Sequence, residues 1–227
     1  MYKKGDFIYT IISSLRYAFS NMGSLLIGGI AITLSLLLIG LPFILGYITR
    51  CMREIIRGNG VLPDWDEVMS MFIDGLRMSV IFFVYAAIYV AIVIIPLMTV
   101  IIFQYLELGF LALASTTVLL FIMTSLACIL GIVFFASWVL YAITGSVRSS
   151  VNYRFIMELI LINPKGYLIA VLASAIVVVA GAVPMALFIT IPWVAFAIIA
   201  AVTFNYSMFY QSTMNIRADY IKSGGPR

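Results

Sequence analysis

Residues 78–142 form the longest nearly uncharged segment of the chain and read MSVIFFVYAAIYVAIVIIPLMTVIIFQYLELGFLALASTTVLLFIMTSLACILGIVFFASWVLYA. Its single charged residue is Glu107, which separates two apolar runs over 78–103 and 109–142. Each run exceeds the ~20 residues that an α-helix needs to cross the hydrocarbon core of a bilayer. The segment 104–108 carries no lysine or arginine and predicts a short turn between two membrane-spanning helices.

The same pattern continues on both sides of this hairpin. No charged residue lies between Arg16 and Arg50, and a second charge-free gap follows Lys165, with predicted spans over 167–187 and 192–210. The chain of 227 residues is 64% hydrophobic and 10% charged, whereas soluble domains are ~25% charged. Lipid accommodates this much apolar surface, and we therefore predict an all-α integral membrane protein.

The composition removes most catalytic and redox chemistry. The chain has no histidine, which is the commonest general base and metal ligand. Its two cysteines, Cys51 and Cys128, lie far apart and form no CxxC motif. We therefore predict a protein that is not an enzyme and that has no cofactor. The formal net charge of +4 indicates basic cytoplasmic loops rather than nucleic-acid binding.

The basic residues fall into four islands that should face the cytoplasm. The islands are Lys3, Lys4 and Arg16; Arg50, Arg53, Arg57 and Arg77; Arg148, Arg154 and Lys165; and Arg217, Lys222 and Arg227. The spans between the later islands then pair into hairpins over 78–143 and 167–212. We expect a multi-pass protein of the cell membrane, with its N- and C-termini in the cytoplasm.

The first apolar run leaves the number of spans open between five and six. A single span over 23–56 would place the basic N-terminus outside the cell, whereas a short hairpin keeps both ends inside. We favour the hairpin because Gly40 and Pro42 lie in the middle of the run, where a tight reversal would need them. Arg50 would then lie partly within the membrane and would have to snorkel or find a partner.

An amphipathic stretch precedes each hairpin. The three stretches cover 7–20, 64–75 and 150–163, and their apolar residues recur at helical spacing. The first stretch places on one helical face the residues Ile8, Ile11, Ile12, Leu15 and Phe19. We predict three loose repeats in a single membrane domain over 1–227, each an interfacial helix followed by a hairpin that enters the membrane.

The segment 46–76 is the most distinctive part of the chain. It contains Gly46-Tyr47, Arg50, Arg53, Arg57-Gly58, Leu62-Pro63-Asp64-Trp65-Asp66, Phe72 and Asp74-Gly75-Leu76. With these residues the chain resembles the domain of unknown function family 4013, a group of polytopic membrane proteins found mostly in archaea. The resemblance implies an integral protein of the plasma membrane, and it assigns no catalytic or ligand-binding residue.

Three arginines in this segment are candidate functional residues. Arg50, Arg53 and Arg57 share one helical face near the predicted cytoplasmic surface. One interpretation is contact with anionic lipid headgroups or with a partner protein. The other is pairing with Glu54 or with the acidic stretch that follows. The sequence leaves both open.

Acidic residues follow these arginines and raise the question of a cation site. Asp64, Asp66 and Glu67 supply the oxygen ligands that calcium or magnesium would need. The spacing of Asp64 and Glu67, directly after Pro63, is also that of a helix capping box. We favour the capping box, and we predict no metal.

Polar and small residues within the apolar runs predict helix packing. Small side chains recur at Ser24, Gly28, Gly29, Ala170, Ser174, Ala180 and Gly181. They permit close helix contact, either within the chain or between two copies of it. Asn205 and Gln211 lie near the end of the last run, and we expect them at the membrane interface.

Three functions are compatible with these features. The one we favour is a non-enzymatic scaffold, partner subunit or membrane-shaping element, whose partners are membrane lipids, other membrane proteins or a second copy of the chain. A transporter or lipid-handling facilitator is the alternative, weakened by the lack of intramembrane acids. A membrane-embedded enzyme comes last, because only Asp64, Asp66, Glu67 and the nearby arginines could serve it.

Overall fold

The computed structural model describes residues 7–35, 40–186 and 191–222, and within these ranges the chain is α-helical with no strand. The helices are α1 (Phe7–Ala18), α2 (Met22–Ser35), α3 (Leu41–Ile56), α4 (Val68–Tyr105), α5 (Gly109–Thr144), α6 (Val147–Ser150), α7 (Tyr153–Ile162), α8 (Pro164–Met185) and α9 (Ile191–Lys222). The all-helical prediction is therefore confirmed. The predicted cytoplasmic residues Lys3, Lys4 and Arg227 lie outside the described ranges.

Four helices are long and apolar enough to cross a bilayer: α4, α5, α8 and the Ile191–Asp219 part of α9. They correspond to the four runs predicted over 78–103, 109–142, 167–187 and 192–210. α4 has 38 residues and α5 has 36. At 1.5 Å per residue each is about 55 Å long, whereas the hydrocarbon core is about 30 Å thick. Both helices are therefore longer than a single crossing requires.

The amphipathic helix predicted over 64–75 has different bounds in the structure. It begins at Val68 and continues without a break into the apolar part of α4. The predicted capping box is wrong, because Glu67 lies before the helix with a positive φ of 53°. The side chain of Asp64 instead accepts a hydrogen bond from the side-chain amide of Asn21 at 2.8 Å.

The stretch predicted as one helix over 150–163 is also divided. Ser146 caps the short helix α6, and Asn152 caps α7 by accepting a hydrogen bond from the backbone N–H of Arg154 at 3.0 Å. Asn163 then ends α7 and caps α8 through the N–H of Gly166. Each asparagine prefers such a cap to a helix interior because its side chain competes for backbone hydrogen bonds.

The first apolar run forms two helices rather than one. Gly40 is the N-cap of α3 and Pro42 lies in its first turn, so the chain breaks where we predicted the reversal, although 36–39 lie outside the described residues. With 14 and 16 residues, α2 and α3 are about 21 and 24 Å long. Neither alone matches a full hydrocarbon core. A bend of 82° separates α1 from α2.

The chain, predicted as one membrane domain, groups into two compact units, residues 1–79 with 136–227, and residues 80–135. In the first unit α9 is the central helix and packs against α1, α2, α3, α7 and α8. Of the 18-residue apolar stretch with which each helix could cross a bilayer, 56% is buried in α9, compared with 22% in α8. α9 therefore forms the core around which the shorter helices assemble.

Small residues allow the helices of the first unit to approach closely. A Cβ added at Gly28 would lie 2.5 Å from the ring of Phe196, and one at Gly29 would lie 2.0 Å from Trp193. Gly181 of α8 likewise faces Ile198 of α9. These glycines of the predicted small-residue faces therefore pack within the chain.

The second unit is the hairpin of α4 and α5 between residues 80 and 135. Val93, Val100 and Leu119 are buried between its two arms. Most of its other large side chains point outward, and Phe110 and Phe121 are 82% and 74% exposed. In water such a surface would be strongly unfavourable, so it is the surface that a lipid environment requires.

Candidate functional site

Arg50 and Asp66 form the first of three ion pairs in the candidate segment. The Arg50 Nη1 atom lies 2.6 Å from Asp66 Oδ1 and also donates to the Asp66 backbone carbonyl at 2.8 Å. Asp66 is mostly exposed, and the arginine side chain is 24% exposed. The partner that a membrane-proximal Arg50 would need is therefore present within the chain.

Arg53 and Asp74 form a second and more buried pair. Arg53 Nη1 donates to Asp74 Oδ2, and its Nε donates to the backbone carbonyl of Ala142 at 2.9 Å. The hydroxyl of Tyr141 donates to the other oxygen of Asp74 at 3.1 Å. Because the Asp74 side chain is only 13% exposed, this pair connects α3, α4 and the end of α5 in a place that water reaches poorly.

Arg57 and Glu54 form the third pair, at 2.7 Å on the surface of α3. The side-chain amide of Asn59 donates to the other carboxylate oxygen of Glu54. Arg57 is 69% exposed, so its pair is solvated and weak. The structure thus brings every one of the three candidate arginines to a carboxylate, as the second interpretation of the sequence expected.

The segment between α3 and α4 is tied to the start of α2 by polar contacts. The hydroxyl of Ser24 donates to the carbonyl of Pro63 at 2.8 Å, and the indole N–H of Trp65 donates back to the Ser24 carbonyl at 3.0 Å. The Trp65 ring stacks on Tyr47 with the ring centroids 4.0 Å apart. Leu62 of the same segment is almost fully buried. The residues around Trp65 therefore hold a loop in place, and they do not form the helical face predicted for them.

Gly46 and Gly75 are required by the contact between α3 and α4. A Cβ added at Gly46 would lie 1.8 Å from the carbonyl oxygen of Met71, and one added at Gly75 would lie 1.6 Å from that of Pro42. No side chain fits at either position without moving backbone. These two glycines set the short helix separation that lets the ion pairs form.

The acidic candidates do not form a metal site among the residues that the structure describes. Asp66 is paired with Arg50, and Asp64 accepts a hydrogen bond from Asn21. Glu67 occupies a left-handed backbone position just before α4. In the described ranges, no group of three potential metal ligands converges. A hard cation needs several converging oxygens, and the geometry does not supply them.

A chain of buried hydrogen bonds inside the first unit was not predicted from the sequence. The amide oxygen of Asn205 accepts a hydrogen bond from Ser14, and its amide nitrogen donates to Ser174 at 3.2 Å. Asn205 is 1% exposed and therefore lies inside the first unit, whereas we expected it at the membrane interface. Gln211 was also placed at the interface, and its amide instead donates to the last carbonyls of α3, at Ile55 and Ile56. An amide side chain within an apolar run is the sequence signal that could have indicated these buried hydrogen bonds.

A cavity of about 460 Å³ lies beside these hydrogen bonds, between α1, the start of α8 and the second half of α9. Its lining is mixed: Lys165, Ser212 and Asn215 are polar, Ile169, Phe204 and Met208 are apolar, and the buried Asn205 lies next to Phe204. Its volume lies within the ~300–1,000 Å³ that is usual for small-molecule sites. Apart from the isolated lysine, no sequence pattern predicted this cavity.

Taken together, the described residues define an all-helical protein with four helices of membrane length and a network of ion pairs beside them. The family model of a protein of unknown function, DUF4013, matches residues 29–190. The match covers more than half of the chain, and the protein therefore belongs to this family. No curated protein and no solved structure matches the chain.

Proposed function

We propose that the protein is a multi-pass protein of the cell membrane that acts without catalysis, as a scaffold, partner subunit or membrane-shaping element. The observation that carries the proposal is the outward direction of the apolar stripe of α1. Ile8, Ile12, Leu15 and Phe19 are all 43–55% exposed. Ser14 and Tyr17 of the same helix are buried against the rest of the unit. Such a helix is suited to lie in the lipid interface.

The next helix supports the same proposal. α2 carries no charge, and its outer face exposes Leu26, Ile27, Ile30 and Leu34. Its inner face, with Gly28 and Gly29, packs on α9. We propose that α2 and α3 enter the membrane from the cytoplasmic side as a short hairpin. The hairpin and the four long helices then give six membrane segments, and both termini are cytoplasmic.

The ionisable residues support a structural role rather than a catalytic one. Three of the four arginines in the second island are engaged in ion pairs that hold α3, α4 and the connecting loop. The pairs leave few polar groups to act on a substrate. The proposed arrangement is three repeats, each an interfacial helix followed by a hairpin, with the second interfacial helix fused to its span. Short hairpins next to interfacial helices would act as wedges in one leaflet.

Native mass spectrometry of the protein extracted together with its surrounding lipid tests this proposal. We expect a fixed stoichiometry, either a homo-oligomer or a complex with one protein partner. The control is the same protein reconstituted at about 100-fold lower protein-to-lipid ratio, because a specific assembly keeps its stoichiometry on dilution whereas crowding does not. A monomer in both preparations would overturn the scaffold or subunit role.

A lipid-handling facilitator is the second candidate, and the cavity beside α8 favours it. Its lining combines a cation with apolar side chains, which is the chemistry of an amphiphile site. Reconstituted vesicles that carry a fluorescent phospholipid in one leaflet test this candidate. Exchange of the label between leaflets above the protein-free rate supports it, and an unchanged rate removes it.

A further inference from the structure

Two of the helices around the cavity, α8 and α9, each place a polar residue of the lining towards the same end. Along α8, Lys165 lies in the first turn and Ile169 one turn deeper. Along α9, Phe204 and Met208 line the deeper part, and Asn215 lies two turns further towards the C-terminus. This end of the cavity therefore coincides with the third and fourth basic islands of the sequence.

Lys165 is the charged residue of the cavity lining within the part of the chain that the structure describes. Among the described residues, no carboxylate lies within ion-pair distance of Lys165, although three arginines elsewhere are paired. Lys165 also lies in the first turn of a 22-residue helix, where the helix dipole disfavours a cation. An anion bound next to Lys165 would offset the unfavourable interaction between the lysine and the helix dipole. The Asn215 carboxamide adds a hydrogen-bond donor for this anion.

The apolar residues of the lining identify the kind of anion. Ile169, Phe204 and Met208 offer no partner to a fully hydrated ion, and the amide of Asn205 beside them is already bonded to Ser14 and Ser174. One helical turn, about 5 Å, separates the height of Lys165 from that of Ile169. This is the order of groups in a phospholipid, whose phosphate lies at the membrane surface and whose acyl chains begin just below it.

We infer that this cavity binds the phosphate headgroup of an anionic phospholipid. Lys165 and Asn215 hold the phosphate, and the start of an acyl chain lies along Ile169, Phe204 and Met208. The inference rests on the membrane location proposed above and is independent of a scaffold role. The shared chemistry is a phosphate group, so a free phosphate ion is the competing source.

The test is native mass spectrometry of the delipidated full-length protein, titrated with phosphatidylglycerol or with phosphatidylcholine, followed by addition of inorganic phosphate to the phosphatidylglycerol complex. We expect one phosphatidylglycerol to remain bound, phosphatidylcholine to bind more weakly, and phosphate not to displace the lipid. Lys165→Gln should weaken phosphatidylglycerol binding at least about fivefold, from the ~1 kcal/mol that one lysine contributes near an anionic surface. Lys165→Arg should preserve binding.

Two further variants distinguish lipid binding in the cavity from general electrostatic attraction of the lipid to a basic surface. Arg154→Gln removes an exposed cation of the same basic island on α7, outside the cavity, and should leave lipid binding unchanged. Met208→Trp keeps every charge and fills the space beside the apolar residues, and it should abolish binding while circular dichroism shows a folded protein. Unchanged binding in Lys165→Gln or in a folded Met208→Trp variant would overturn the inference.

The same experiment also tests whether the cavity binds a free phosphate ion and whether the protein has a scaffold role. Displacement of phosphatidylglycerol by inorganic phosphate at equal concentration would also overturn the inference, because the site would then recognise a free ion. The oligomer mass in the same spectra reports on the scaffold proposal independently of lipid retention. Failure of one proposal is therefore distinguishable from failure of the other.

Discussion

At the scale of single residues, burial separates ion pairs that look alike in the sequence. Arg53 and Arg57 lie one turn apart on α3, and each has a carboxylate partner. The partner of Arg53 is Asp74, which is 13% exposed and also accepts from Tyr141, whereas Arg57 is 69% exposed. Buried charges are costly when one partner is removed, and solvated pairs contribute little.

Arg53→Met should therefore destabilise the protein much more than Arg57→Met. Loss of the Arg53 guanidinium leaves Asp74 without its cation and the Ala142 carbonyl without a donor, which should cost about 2 kcal/mol. Arg57→Met should cost less than about 0.5 kcal/mol. Denaturant titration of the purified protein in detergent measures both. Equal effects of the two variants would mean that the Arg53 pair is as solvated as the Arg57 pair.

Glycine substitutions test the close approach of α3 to α4. Gly46→Ala places a methyl group against the Met71 carbonyl, and a separation of 1.8 Å forces the helices apart. We expect a loss of about 3 kcal/mol of unfolding free energy, at the upper end of overpacking effects. Gly60→Ala is the matched control, because its Cβ would meet nothing within 4 Å, and it should change stability by less than about 0.5 kcal/mol. A tolerated Gly46→Ala would show that the helices have room to separate.

At the scale of helices, the direction of an apolar stripe could not be read from periodicity. The spacing of Ile8, Ile12 and Leu15 correctly indicated an amphipathic helix in α1, but the stripe points away from the protein. In a soluble protein the same stripe would form the core. Here small and polar side chains face inward because α9 offers Asn205 to Ser14, a contact between residues far apart in sequence.

The outward face of α2 provides a prediction about its environment. A spin label at Ile30→Cys should be reached by oxygen, which dissolves in lipid, and protected from a water-soluble nickel chelate. Ile30 is 58% exposed on a helix without charge. Val61→Cys is the control, because Val61 is equally exposed but lies in the loop between α3 and α4, where the chelate should reach it. Equal access of the chelate to both labels would place α2 in water.

At the scale of the whole chain, charge-free gaps predicted the helices well and their ends poorly. The gaps around Glu107 and after Lys165 correspond to the four long helices because a membrane crossing needs a length of apolar sequence and little else. The start of α4 at Val68 was missed because tertiary contacts decide it: Trp65 stacks on Tyr47 and holds the preceding residues out of the helix. The cavity depends on the packing of three helices and left no local pattern.

The number of times that the first apolar run crosses the membrane provides the sharpest prediction about the whole molecule. A short hairpin formed by α2 and α3 keeps the N-terminus on the same side as the loop after α3, whereas a single span over the same run puts them on opposite sides. Single cysteines introduced as Lys4→Cys and Gly60→Cys should therefore react with a membrane-impermeant maleimide only from the cytoplasmic face. Glu107→Cys, at the turn of the α4–α5 hairpin, should react only from the opposite face.

The two native cysteines supply the background control for this experiment. Cys51 is fully buried, so the reagent cannot reach its thiol and it should not react. Cys128 is exposed in the middle of the apolar part of α5, where lipid should cover it. Labelling of Cys128 in intact membranes would mean that water reaches the centre of α5, and a polar path through the membrane would then replace the scaffold role. Labelling of Lys4→Cys from the outer face would reduce the first hairpin to a single span.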